Sequence, residues 1–138
     1  LWNKNINLID ESYNSNPLSL KFAINNFHKI NSRSCRKVAL LGDMLELGKY
    51  SKKLHQKAAL YINSKNINKV YVYGKDIVYT YNKIAPQKRG RVIKSRDEIL
   101  NFIKNDLKNG DYLMVKGSNS TGLHSIVNKL KKGLINAV

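Results

Sequence analysis

The run KVALLG, residues Lys37–Gly42, decides the fold. A strand with one wet face alternates apolar and polar residues. Here Val38, Ala39, Leu40 and Leu41 follow one another without a break, so both faces of the strand must be covered. DYLMVKG, residues 111–117, reads the same way. Shorter β-branched runs place further strands at Ile6–Asp10, Lys69–Gly74 and Arg91–Lys94.

Helical patterns fill the intervals. Asn16-Pro17 is an N-cap followed by the residue best suited to a first helical position, and opens a helix to about Ile30. Residues 52–64 carry Leu54, Ala58, Tyr61 and Ile62 on one face. Ser95 and Glu98 have capping-box spacing and open a helix with Ile99, Phe102, Ile103 and Leu107. A last helix, about Thr121 to Leu134, carries Leu123, Ile126, Val127 and Leu130. APQKRGR, residues 85–91, is expected to be a mobile loop. Strand–helix repetition gives an α/β class: a Rossmann-like, doubly wound, mostly parallel sheet of five or six strands with helices on both faces.

The chain has 138 residues, enough for one domain with a real core, and 42% of them are hydrophobic, which argues against disorder. It opens on Leu1, as an excised domain does. No apolar run has the roughly 18 residues of a membrane span. Cys35, flanked by Arg33, Arg36 and Lys37, is the one cysteine, so no internal disulfide forms. That fits a reducing, cytoplasmic setting. The net charge of +16 invites nucleic acid as a partner. The composition speaks against it: 20 Lys stand against 5 Arg, scattered along the chain beside 18 Asn, whereas phosphate and base readout favour Arg.

Ligands of such sheets bind beyond the carboxyl ends of the strands. Three loops qualify. DESYNSN offers the carboxylates Asp10 and Glu11, the phenol of Tyr13 and the amides Asn14 and Asn16. Amides both donate and accept, which suits zwitterionic ligands, while Asn16 also reads as a simple helix cap. GDMLELG offers Asp43 and Glu46 for a cation or amine, with Met44, Leu45 and Leu47 as packing residues. KGSNSTG offers the Lys116 ammonium, the Gly117 N–H and Ser118 for a carboxylate or phosphate before a helix. No phosphate loop of the G-x-x-x-x-G-K-[ST] order exists in the chain. His28, His55 and His124 lack metal-ligand spacing, and no metal site is expected.

In this order the three loops resemble the C-terminal domain of one family, the Mur ligases that add D-alanyl-D-alanine. IDESYNSNPLSL is similar to their D-D-x-Y-N-A-N-P-x-S segment, with Glu11 where Asp is common and Ser15 where Ala is common. LLGDMLELG is similar to G-D-M-x-E-L-G, with His55 matching a histidine that often follows. VKGSNS is similar to K-G-S. The resemblance spans residues 1–138 and implies an acceptor-binding domain whose N-terminal and central ATP-binding domains are absent from this chain. It implies a monomeric enzyme that uses ATP and Mg²⁺ to phosphorylate the carboxylate of UDP-N-acetylmuramoyl-tripeptide. The amine of D-alanyl-D-alanine then attacks the acyl phosphate, in peptidoglycan precursor synthesis. Tyr13, Asn14 and Asn16 would meet the dipeptide, and Asp10 or Glu11 the ATP ribose. Lys116, Gly117 and Ser118 would hold the dipeptide carboxylate, and Asp43, Glu46 and His55 would line the site. The isolated domain would be inactive. Two alternatives differ in class: a basic α/β nucleic-acid-binding module, and a stand-alone small-molecule binder.

Overall fold

The computed structural model describes residues 4–132. Five strands and five helices alternate: β1 (Asn7–Glu11), α1 (Pro17–Lys29), β2 (Lys37–Gly42), α2 (Ser51–Asn63), β3 (Lys69–Tyr73), α3 (Ile77–Tyr81), β4 (Arg89–Ile93), α4 (Arg96–Asn101), β5 (Tyr112–Lys116) and α5 (Leu123–Lys131). The sheet order is β1-β5-β2-β3-β4 and every pairing is parallel. All six residues of β2 are buried, as its unbroken apolar run requires.

Parity sorts the core. Ala39, Leu41, Val70, Val72 and Met114 face α1, α2 and α3, where they meet Leu20, Ile24, Phe27, Ala58, Ile62 and Ile77. Their strand neighbours Val38, Leu40, Leu113 and Val115 face α4 and α5, where they meet Ile99, Phe102, Ile103, Leu123, Ile126 and Val127. Helices on both faces of a parallel sheet follow directly.

The strand order matters for function. β5 comes last in the chain but lies between β1 and β2. The connection after β1 runs to one face, and the connection after β5 runs to the other. The chain therefore parts on either side of β5, and a crevice opens at its carboxyl end.

Several expected boundaries move. Pro86–Lys88 of the expected loop is a 3₁₀ turn that enters β4 at once. It is tied down, because Lys88 Nζ donates to the Lys65 and Ile67 carbonyls at 2.7 and 2.9 Å. Helix α3 is an addition. The expected helix beginning at Ser95 becomes α4 and then a π-helical stretch at Phe102–Asp106. Thr121 belongs to a 3₁₀ turn at Asn119–Thr121, so the last helix begins at Leu123; the expected end at Leu134 lies outside the described residues.

Candidate functional site

Loops 12–16, 43–50 and 117–122 leave the carboxyl ends of three adjacent strands, so the β5 loop touches both of the others. Ser118 makes the junction. Its N–H donates to the Asp43 carbonyl at 2.9 Å. Its hydroxyl accepts from the Leu45 N–H at 2.9 Å and donates to the Ser15 carbonyl at 3.3 Å. Gly117, buried, lets the strands approach: a Cβ there would stand 3.0 Å from Leu123 and 3.1 Å from the Cα of Gly42. Above this junction lies an open cleft of about 460 Å³, lined by Tyr13, Asn14, Leu45, Glu46, Ser118, Asn119 and Ser120.

Besides Ser118 at the junction and the half-exposed Glu11, the expected site residues divide into three groups. Tyr13, Asn14 and Glu46 reach the cleft. Tyr13 is 71% exposed, and its ring meets that of His124 edge-on at 5.9 Å. Asn14 Oδ1 accepts from the Ser15 N–H at 2.8 Å, and the residue is exposed.

Asp10, Asp43 and Asn16 are engaged by the protein itself. Asp10 accepts from Lys131 Nζ on α5 at 2.5 Å and from the Ser12 N–H and hydroxyl at 3.0 and 2.5 Å. Burial alone raises the Asp10 carboxyl, but the bonds from Lys131 and Ser12 outweigh it and hold the group below its ordinary 3.8. Asp43 caps α3 by accepting from the N–H groups of Lys75, Asp76 and Ile77 at 3.2, 3.0 and 2.7 Å. Gly74 permits that cap, since a Cβ there would fall 2.4 Å from Asp43 Oδ1. Asn16 closes a capping box on α1: its Oδ1 accepts from the Ser19 N–H at 2.8 Å, and Ser19 Oγ accepts from the Asn16 N–H at 3.0 Å.

Lys116, Gly117 and His55 lie beneath the cleft, contrary to expectation. The resemblance implies that Lys116 holds the dipeptide carboxylate. The side chain is instead 4% exposed, with Nζ donating to the Asn14 carbonyl at 2.7 Å and standing 4.0 Å from Glu11. Burial pushes its pKa down, and Glu11 opposes that only in part. The cause is strand parity: Lys116 shares a face with Met114, toward α1, not toward open solvent. His55 does not line the site, being fully buried. Its Nε2 accepts from the Met44 N–H at 3.0 Å, and Nδ1 lies 2.8 Å from the Ser51 carbonyl. With Nε2 on the Met44 N–H and Nδ1 on the Ser51 carbonyl, the ring pins loop 43–50 from below.

Leu45, Asn119 and Ser120 are additions to the site, as is the bridge from Ser12 Oγ to His124 Nδ1 at 3.1 Å. Leu45 reads as packing in the sequence but lines the cleft. No signal marks His124, because its partner is 112 positions away. Among the described residues, no three of His, Cys, Asp and Glu come together as a set of metal ligands. Among the same residues, no helix is long and apolar enough to cross a membrane.

Comparison with known proteins settles the family. The family model of the Mur ligase glutamate ligase domain matches residues 2–119. The chain belongs to the Mur ligase family. This Mur ligase domain is 35% identical over 132 residues to the UDP-N-acetylmuramoyl-tripeptide–D-alanyl-D-alanine ligase of Buchnera aphidicola subsp. Baizongia pistaciae, covering 94% of the chain and 27% of the relative. The ligase of the same name from Rickettsia prowazekii is 28% identical over 124 residues, covering 90% and 27%. The Mur ligase domain thus spans about a quarter of the length of these curated relatives. Among solved structures, a MurF from Acinetobacter baumannii superposes with a TM-score of 0.76 at 20% identity, over 96% of this chain and 29% of that one. The MurF ligase of Thermotoga maritima, in complex with ADP, gives 0.73 at 24% identity, over 95% and 29%. At these identities the structures establish the shared fold.

Proposed function

We propose that this chain is the acceptor-binding domain of an ATP-dependent amide ligase that joins D-alanyl-D-alanine to UDP-N-acetylmuramoyl-tripeptide. The observation that carries the reading is convergence. The three loops that resemble the family's motifs, separate in sequence, surround one cleft at the carboxyl end of β5. The relatives' names support the substrates.

Within that reading, Tyr13 and Asn14 meet the dipeptide, with Leu45, Asn119 and Ser120 opposite. Glu11 is the acid nearer the ATP ribose. It is 42% exposed, whereas both oxygens of Asp10 are already engaged. Phosphoryl transfer needs a phosphate cradle and a metal, and the described residues offer no set of metal ligands. Those parts, ATP and Mg²⁺ included, belong to the N-terminal and central domains of the full-length enzyme, a cytoplasmic monomer. This domain contributes positioning of the acceptor amine for attack on the acyl phosphate. The alternative of a nucleic-acid-binding module gains nothing from the fold or the cleft.

The test is Asn14→Ala in the full-length enzyme. Loss of a hydrogen bond to a charged group costs about 1.5–3 kcal/mol, so kcat/KM for the dipeptide should fall about ten- to a hundredfold, with tripeptide binding little changed. Unchanged dipeptide kinetics would retire the acceptor reading.

A further inference from the structure

Lys116 and Ser118 read in the sequence as ligand contacts, and the geometry gives them a different task. They are alternate residues at the exit of β5. Their polar ends fall on two successive carbonyls of the β1 loop: Lys116 Nζ on that of Asn14 at 2.7 Å, Ser118 Oγ on that of Ser15 at 3.3 Å. Both side chains are buried. The Ser118 hydroxyl also accepts from the Leu45 N–H, so its donor and one acceptor position are filled by protein. The Lys116 ammonium faces a backbone carbonyl and Glu11, not the cleft. The side chains of Tyr13 and Asn14, by contrast, are exposed and line the cleft.

We propose that Lys116 and Ser118 are positioning residues for the acceptor turn. They hold the Asn14 and Ser15 carbonyls down on β5, so that the Tyr13 and Asn14 side chains enter the cleft in one fixed arrangement. The proposal rests on the acceptor-binding reading of the cleft. Its chemistry is that of a clamp. A bare loop carbonyl rotates its peptide plane freely, and each rotation swings the neighbouring side chains. Two adjacent carbonyls, bonded to a strand buried on both faces, stop that rotation. Ser118 holds Leu45 with the same hydroxyl, so the two walls of the cleft are fixed to one another as well. A dipeptide bound between them would meet a surface already ordered, and the ordering cost of binding falls accordingly.

The clamp and a direct contact to the dipeptide carboxylate differ in three measurable ways in the full-length enzyme. The first readout is hydrogen exchange of segment 11–16 without substrates, in wild type, Lys116→Met and Ser118→Ala. The clamp requires faster exchange there in both variants, with segment 37–42 unchanged. The second is acceptor kinetics. Lys116→Met should raise KM for D-alanyl-D-alanine about tenfold, more than it raises KM for ATP, and should impose the same penalty on the dipeptide's C-terminal amide. The third is a double-mutant cycle. If Lys116 acts through the turn, Lys116→Met adds little once Asn14 is alanine.

A Lys116→Met penalty that disappears with the amide acceptor would make Lys116 a carboxylate ligand and overturn the proposal. Unchanged exchange at 11–16 in both variants would overturn it equally. Where Lys116→Met fails to fold, Ser118→Ala carries the same comparisons at a smaller effect, about threefold for a neutral hydrogen bond. Silent Asn14→Ala kinetics with faster exchange in Lys116→Met would remove the acceptor reading and leave the carbonyl clamp standing.

Discussion

The two ends of the sheet handle polar groups in opposite ways. At the amino ends of the strands, where helix carboxyl ends gather, cations sit on carbonyls. Lys37 Nζ donates to the His28 carbonyl in the last turn of α1 at 2.8 Å. Lys88 covers the two carbonyls just past α2. Lys4 Nζ donates to the carbonyls of Ile103, Lys104 and Leu107 where the π-helical stretch ends. Arg36 holds buried Asp111 at 2.6 Å. At the carboxyl ends of the strands, helices are capped by Asn16, Asp43 and Ser95, and loops are tied to loops. Each end matches the sign of the helix dipole it faces. The lesson concerns the surplus of lysine. Part of it closes helix ends, so net charge is a poor guide to a polyanionic partner. The carboxyl end keeps the cleft lined by Tyr13, Asn14, Leu45 and Ser118.

The largest effect expected from breaking this contrast is at Lys37. Burial pushes its pKa down, so the ammonium is held at a cost, and its bond to His28 is what justifies it. Lys37→Met keeps the stem and strands the carbonyl. Stability should fall by about 1–2 kcal/mol, and Tm by about 5 °C. Exposed Lys53→Met is the control and should leave Tm unchanged. Equal melting of the two variants would mean that the buried lysine closes nothing.

Asn16 sharpens the comparison from the other end. It lies in the loop that resembles a substrate-binding segment, yet its side chain is a cap. Asn16→Ala should cost about 1 kcal/mol in chemical denaturation and, if the proposed acceptor reading holds, leave the dipeptide KM of the full-length enzyme in place. A KM effect without loss of stability would return Asn16 to the substrate.

The smallest effect belongs to Lys131 and Asp10. The folded Asp10 carboxyl titrates below its ordinary 3.8, so its contribution is complete above that value and is lost as pH falls through the lower folded one. Lys131→Met should therefore lower stability at pH 7, by less than about 1 kcal/mol because the lysine is half exposed, and the gap should close on acidification. Denaturant midpoints of both proteins, taken from pH 7 downward until Asp10 is protonated in the folded state, measure it. A gap that persists in acid would assign the loss to packing of the lysine stem.

Much of the fold is legible in the residues because burial on both faces leaves unbroken apolar runs, as in β2 and β5. What escapes has tertiary causes. DIVYTY, residues 76–81, is rich in β-branched and aromatic residues, yet Ile77–Tyr81 is a helix. Its first N–H groups are capped by Asp43, more than thirty positions away. In the site, the three loops are legible as motifs, while the direction of each side chain is not. Lys116 follows the parity of β5 downward, and nothing local announces that the backbone of Asn14 lies there to receive it. His55 matches a family motif in sequence, but only the structure places it under the Met44 N–H.

The position of β5 bears on how the chain is made. Synthesised from its amino end, the chain releases β1, β2, β3 and β4 before the strand that belongs between the first two. Among the described residues, β1 pairs with β5 alone. Until the ribosome has delivered residues 112–116, β1 has no strand to join, and the slot beside β2 stays open to any extended segment that meets it. The last strand to emerge is therefore a keystone. A nascent chain stalled short of it leaves β1 and one side of β2 unpaired, and holding those apart is work for a chaperone.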